Sequence, residues 1–210
     1  MRAVVARCLV LLLALLPAAA CRRASASALP YYESGDFTPK WTGSAHRVGA
    51  FSLTTQTGAP ITDHDLAGRV HVASFIYTRC SAICPALVSN LKRVQAAIDG
   101  PNVVIVSYSV TPDLDSPAVL AAFGRERDID PTRWKLVTGD RDQIYALARD
   151  TYFASDERLR ATLIGDSAFL HTEKLVLVDR QGKLRGVYDG TQPFEIDHLI
   201  EDARTLAGEM

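Results

Sequence analysis

The strongest pattern along this chain is an uninterrupted β-branched and aromatic run, Val70 to Thr78 (VHVASFIYT), with no polar alternation. A strand that alternates apolar and polar residues buries one face, whereas a continuous run buries both and so predicts a strand in the middle of a sheet. Directly behind it the period changes. Pro85 suits the first turn of a helix, Leu87, Leu91, Val94 and Ile98 fall on one stripe, and Gly100-Pro101 stops it. Val103 to Val110 predicts a second buried strand, and Ser116-Pro117 caps a helix running to about Arg127. Lys135-Leu136-Val137 gives a third strand, after which Asp140 can cap another helix. Upstream, Phe51-Ser52-Leu53 alternates like a short strand before a Thr57-Gly58 turn. Downstream, Lys174 to Val178 and Lys183 to Tyr188 flank Asp179-Arg180-Gln181-Gly182, which has the turn chemistry of a hairpin. Pro193 to about Ala207 closes the chain as a helix, its inner face assigned to Phe194, Ile196, Leu199, Ile200 and Ala203.

The resulting order, β-α-β-α-β-α-β-β-α, predicts an α/β fold: a central mixed β-sheet flanked by helices. Two cysteines, Cys80 and Cys84, fall between the central strand and its helix, which makes the order a thioredoxin-like one. No internal repeat is present.

The N-terminus has a different pattern. Arg2 and Arg7 precede Leu9 to Leu16, and the uncharged stretch from Cys8 to Cys21 is 14 residues long, shorter than the ~20 a membrane span needs. This predicts an export signal over residues 1–20. Ala18-Ala19-Ala20-Cys21 resembles a lipoprotein cleavage box, with Ala18 where Leu is usual, and makes Cys21 a candidate lipidation site. Cleavage after Ala20 by an ordinary signal peptidase is the alternative, and either route puts the domain outside the cytoplasm. Residues 21–40, rich in Ala, Ser, Gly and Pro, predict a flexible tether, and 41–210 the domain.

Composition adds little to this. The 210 residues are 48% hydrophobic and 22% charged, enough for one domain with a sizeable core, and the formal charge of −1 speaks against nucleic acid as a partner. Losing Arg2 and Arg7 leaves 21 basic residues against 24 acidic ones, still mildly acidic.

With Cys8 removed and Cys21 acylated, the domain keeps Cys80 and Cys84. A structural disulfide is one reading, since exported proteins use them freely. Closing a loop of about five residues stabilises by only ~2 kcal/mol, however, against nearly 5 for ~100 residues. The other reading is functional: a helix N-terminus and Arg79 favour a thiolate, and thiolates bind soft metals or exchange electrons. A further soft ligand would come from the histidines. His46 lies in the approach segment, His64 in a polar turn, His71 at the far end of the central strand, and His198 on the solvent side of the last helix. His171 comes just before the Lys174 strand, whose start lies beside the redox loop in a thioredoxin-like fold.

Thr78-Arg79-Cys80-Ser81-Ala82-Ile83-Cys84-Pro85 matches the Thr-x-Cys-x-x-x-Cys-Pro loop of the Sco/SenC family, and the chain resembles that family over most of its domain. Val48 to Leu53 resembles the family's opening strand, Thr111-Pro112-Asp113-Leu114-Asp115-Ser116-Pro117 its acidic loop, and Trp134 to Gly139 a further segment. The resemblance implies a copper metallochaperone that binds copper through Cys80, Cys84 and His171 and helps build the binuclear copper centre of cytochrome c oxidase subunit II. It implies as further partners a periplasmic thiol reductant and a second copper carrier, and a membrane reached through a lipid anchor. Two thiolates and an imidazole suit Cu(I), and with another ligand Cu(II). Leu170 stands where many members carry an acidic residue, and the Asp113–Asp115 loop reads as a solvated turn capping the next helix through Ser116.

The rival is a thiol-disulfide oxidoreductase using Cys80 and Cys84 as a redox pair. Three residues rather than two separate its cysteines, and no proline stands near His171. A peroxidase fits less well because Tyr77 replaces the proline its loop needs. Zinc storage offers an exchange protein little.

Overall fold

A computed structural model describes residues 29–80, 83–98, 100–154 and 172–208. The runs that lack polar alternation become the middle of the sheet. β3 (Val70–Ile76) and β4 (Val103–Ser109) are buried along their whole length, and they pair in parallel from Val70↔Val103 to Ile76↔Ser109. β5 (Trp134–Thr138) extends the parallel set on the far side of β4. β6 (Lys174–Val178) runs antiparallel against the other side of β3, and β7 (Leu184–Asp189) antiparallel against β6. At the opposite edge stand β1 (Ser52–Thr55) and β2 (Pro60–Thr62), giving the order β2-β1-β5-β4-β3-β6-β7. This is the mixed sheet expected, in a thioredoxin-like arrangement. Neither β2 nor the four-residue helix α1 (Asp63–Leu66) is predicted by the apolar pattern, because each is too short to show a period.

Two apolar layers cover the sheet. On one face α2 (Cys84–Ala97), α3 (Pro117–Glu126) and the C-terminal helix α5 (Pro193–Gly208) bury Leu87, Leu91, Val94, Leu120, Leu199 and Ala203 over Val70, Val72, Ile105 and Leu175. Ser116 Oγ accepts from Val119 N at 3.3 Å, as its capping position predicts. The inner face of α5 differs in one residue: Phe194 is 57% exposed, and the stripe instead runs from Ile196 to Leu206. Phe194 stands on the first turn, where the helix has not yet come over the sheet.

On the second face α4 (Arg141–Ala146), capped by Asp140 Oδ1 on Gln143 N at 2.8 Å, continues as a π-turn over Leu147–Thr151. The wider turn delivers Tyr152 into the core, where it packs with Phe75 and Tyr108.

The packed body begins earlier than Trp41, where the sequence sets its start. Tyr31 pairs with Lys40, Tyr32 pairs with Leu184, and the buried Arg185 holds the carbonyls of Leu29 at 2.6 Å and Pro30 at 3.0 Å. Residues 29–40 therefore lie along the β7 edge rather than forming a loose tether. The expected signal, Cys8 and Cys21 lie outside the described residues. Among the described residues no helix is long and apolar enough to cross a membrane.

Candidate metal centre

β3 ends at Ile76, and four residues later the chain reaches Cys80, whose amide donates to the Tyr77 carbonyl at 3.1 Å. Cys84 opens α2, with Pro85 in its first turn. A residue before proline is expected to stay off the helix. Instead the helix includes Cys84, and Ile83 before it already has helical backbone angles (φ −82°, ψ −30°). Both cysteines are thiols, Cys80 half-buried and Cys84 buried. The Cys84 amide points at Cys80 Sγ, 3.5 Å away, as a helix start does with an anion or a sulfur acceptor.

The two thiols are unlike. Burial, and behind it the neighbouring Cys80 thiol, push the Cys84 thiol up to about 12. Desolvation outweighs the helix end here, so the expectation of easy ionisation fails for Cys84. A soft cation that replaces its proton would restore what burial removes.

Beside the pair lies a groove of about 290 Å³ between α2 and α3. Tyr77, Pro85, Val88 and Phe123 supply its apolar part. Its rim is charged: Lys92 pairs with Asp128 at 3.0 Å, and the Arg127 guanidinium sits 3.9 Å above the Phe123 ring. Both Cys80 and Cys84 line this opening, and the half-buried Cys80 is the more accessible of the two, so a partner can reach it without unfolding the domain.

The loop is held from below by a residue read in the sequence as part of a solvated turn. Asp115 is completely buried. Its carboxylate accepts from Thr78 Oγ1 at 2.5 Å, Ser109 Oγ at 2.6 Å and Thr111 Oγ1 at 3.0 Å. Three hydroxyl donors are what a buried carboxylate needs, and one of them stands two residues before Cys80. Asp113 is the solvated member of the loop, paired with Arg141 at 3.3 Å.

His171 and Leu170 lie outside the described residues. The segment that begins at Thr172 is ordered by α2. Thr172 is buried, the Glu173 carbonyl accepts from Gly190 N at 2.8 Å, and Asn90 Nδ2 of α2 donates to the Gly190 carbonyl at 2.8 Å. A Cβ on Gly190 would lie 2.2 Å from Leu87 Cδ1 and 2.9 Å from the Glu173 carbonyl oxygen. Only glycine lets the start of β6 close on α2, one turn beyond Cys84. Because β6 opposes β3, this start is at the thiol end of the sheet.

The remaining histidines go elsewhere. His46 Nε2 is bonded to the Thr151 carbonyl at 2.8 Å, His64 is in α1, His71 is buried at the far end of β3, and His198 is exposed. Among the described residues no group of three His, Cys, Asp or Glu side chains stands close enough to hold a metal ion. The donors present are two sulfurs, which fit a soft cation better than a hard one.

The family model described as SCO1/SenC matches residues 40–208. A SCO1/SenC family lipoprotein from Bacillus anthracis str. Ames is 31% identical, with a TM-score of 0.68 over 77% of this chain and 95% of that one. BsSco, described as a member of the Sco family of cytochrome c oxidase assembly proteins with a disulfide switch, is 25% identical (TM-score 0.65, 79% and 95% covered). Bradyrhizobium japonicum ScoI, solved with copper bound, is 26% identical (TM-score 0.59, 75% and 98% covered).

Proposed function

The chain belongs to the SCO1/SenC family, and from that premise we propose that it is a copper carrier for cytochrome c oxidase assembly, with Cys80, Cys84 and His171 as its copper ligands and the binuclear copper site of subunit II as its target. The observation that carries the reading is the thiol pair: two sulfurs joined by an amide contact at a helix start, both in the wall of one groove, Cys80 half-buried and Cys84 more deeply buried. The ordered start of β6 beside α2 supports His171 as the third ligand, since it tethers the residue after it near the thiols.

Copper is the cargo, and the chain's own part is to grip and release it. Cys84 is the anchor, enclosed by α2. Cys80 is the exchanging ligand, because a partner thiolate entering the groove meets it first. Stepwise exchange, with the incoming sulfur bound before Cys80 lets go, keeps a soft ion coordinated throughout. We place this work outside the cytoplasm, with Cys21 lipidated and the domain on the periplasmic side of a membrane. The lipoprotein description of the B. anthracis relative supports that placement.

Titration of the reduced chain with Cu(I) and Cu(II) tests the ligand set. Cys80→Ser and Cys84→Ser should each abolish tight binding, and His171→Ala should weaken it and change the Cu(II) spectrum, while His198→Ala changes neither. A His171 variant that binds both ions like the parent removes that ligand from the set.

A second reading has a specific observation in its favour, the disulfide switch described for BsSco. In it, the Cys80 thiolate attacks a partner disulfide, and Cys84 then resolves the mixed disulfide, leaving the partner as a dithiol and this chain as a disulfide. Mixing copper-loaded protein with the reduced copper domain of subunit II separates the two. Transfer of colour to the oxidase fragment supports delivery. If the reduced fragment acquires no copper, yet the copper-free protein, recycled by an added thiol reductant, catalytically reduces the disulfide of the oxidised fragment, redox work replaces delivery.

A further inference from the structure

At the other end of the sheet the molecule holds a second built site. Among the described residues, two buried side-chain nitrogens lack a hydrogen-bond partner: His71 Nδ1 and Arg180 Nε. Both residues line the same cavity, about 300 Å³, together with Arg47, Asp63, Gln181 and Gly182. Buried polar atoms are nearly always satisfied. Two exceptions that share one cavity point to a ligand with acceptors.

Whether His71 offers a proton or a lone pair depends on its neighbours. Its Nε2 lies 3.2 Å from Tyr152 Oη, which lies 3.0 Å from Tyr108 Oη. The Tyr108 hydroxyl is fully buried, and Tyr152 is its hydrogen-bond partner. Tyr108 therefore donates to Tyr152, Tyr152 donates to His71 Nε2, and the ring proton of His71 sits on Nδ1, the nitrogen without a partner. Burial, with Arg69 adding to it, holds the ring far down, at about 3, so it is a neutral donor.

The other donors are likewise oriented before any ligand arrives. Arg180 Nη2 donates to the Ala207 carbonyl at 2.5 Å, and Arg47 Nη1 to the Gln181 carbonyl at 2.6 Å. Each guanidinium is thus pinned by one nitrogen and leaves others for the cavity. Asp63 is the acidic lining residue, and its Oδ1 accepts from Phe51 N at 3.4 Å. Two guanidiniums against one carboxylate leave the cavity positive.

We propose that this cavity binds a phosphate-type oxyanion, held by Arg47, Arg180 and the Nδ1 proton of His71, with Asp63 facing an amine or hydroxyl on the same ligand. Fixed guanidinium forks and a neutral N–H donor are the usual recognition chemistry of a phosphate. The ligand is a phospholipid headgroup or a soluble phosphomonoester. The site is separate from the copper centre, since His71 begins the strand whose far end leads to Cys80.

The test uses the full chain labelled with ¹⁵N at histidine, followed by NMR. Inorganic phosphate, O-phosphoethanolamine, and bicelles of phosphatidylethanolamine or of a phosphate-free glycolipid are added in turn. We expect a saturable shift of the His71 Nδ1 signal with phosphate-bearing probes, while His198 does not move. A shift with the soluble probes but not with phosphatidylethanolamine bicelles identifies a soluble phosphomonoester, and a shift with those bicelles identifies the headgroup. Arg47→Gln changes an exposed side chain, so it should fold normally and weaken binding by about tenfold or more, leaving copper binding at the parental level. Arg180→Gln should weaken it further. A His71 signal that ignores every phosphate probe, or an R47Q variant that binds as well as the parent, overturns the site.

Discussion

At the scale of single residues, the decisive side chains are buried polar ones whose role depends on partners distant in sequence. Asp115 looks like one more acid in a polar loop until the fold brings Thr78 to it across 37 positions. Replacing it by alanine would strand the buried Ser109 and Thr111 hydroxyls and the half-buried one of Thr78, a loss of about 3 kcal/mol. Urea unfolding measures that loss. Because Thr78 is one of the three, Thr78→Val should cost about 1–2 kcal/mol and weaken copper binding, measured well below the unfolding midpoint, by more than that loss explains, which separates positioning of the thiol loop from general support. His71 makes a prediction about acid. Its folded value of about 3 lies below the ordinary 6.5, so the unfolded chain binds a proton first as pH falls. The stabilisation from keeping this ring neutral is therefore complete above pH 6.5 and is lost as pH drops from there toward 3, at about 1.4 kcal/mol per unit once well below 6.5. Between pH 7.5 and 5 the parent should lose about 2 kcal/mol from this group. In His71→Gln the same comparison should show that part missing.

At the scale of elements, legibility in the sequence tracks the amount of apolar surface each one buries. β3, β4, α2 and α5 are readable because long unbroken runs or full stripes serve one purpose. β2 is not, since Ile61 is its one buried residue, and a single apolar position has no period. α1 carries a readable signal, the Thr62–Asp65 capping pair, but four residues are too few for a stripe. Phe194 reads as inward because periodicity counts turns without knowing where a helix first meets the sheet. For the site, the thiol pair and its helix can be read directly. The buried state of Cys84 cannot, since it comes from packing. Gly190 shows the same limit, as its closeness to α2 is invisible in a hairpin's sequence. Gly190→Ala would push Leu87 and the Glu173 carbonyl apart, costing about 1–3 kcal/mol. If the start of β6 carries a copper ligand, that variant should also lose copper affinity beyond what its stability loss explains, measured by competition with a chelator well below the unfolding temperature.

At the scale of the whole molecule, the two ends of the sheet have different work. The thiols and their groove stand at one end. Arg185, Leu29 and the oxyanion cavity stand at the other, because β7 runs parallel to β3 and begins beside the β6–β7 turn. Mass spectrometry of the native N-terminus should find a diacylated or triacylated Cys21 as first residue. A start elsewhere would remove the lipid from this picture.

The clasp of Arg185 on Leu29 then sets a geometric limit. Seven residues, eight Cα–Cα steps, separate the proposed lipidation site Cys21 from the clasped Leu29, a leash of at most ~28 Å when taut, and the length of β3 adds ~20 Å of rigid height. Under the proposed lipidation the thiols then reach at most roughly 50 Å above the lipid, and within that reach a membrane-bound partner would meet them at a high effective concentration. Beyond it, no amount of affinity in the groove compensates, so for the proposed delivery the length of the leash and the height of the acceptor site have to match.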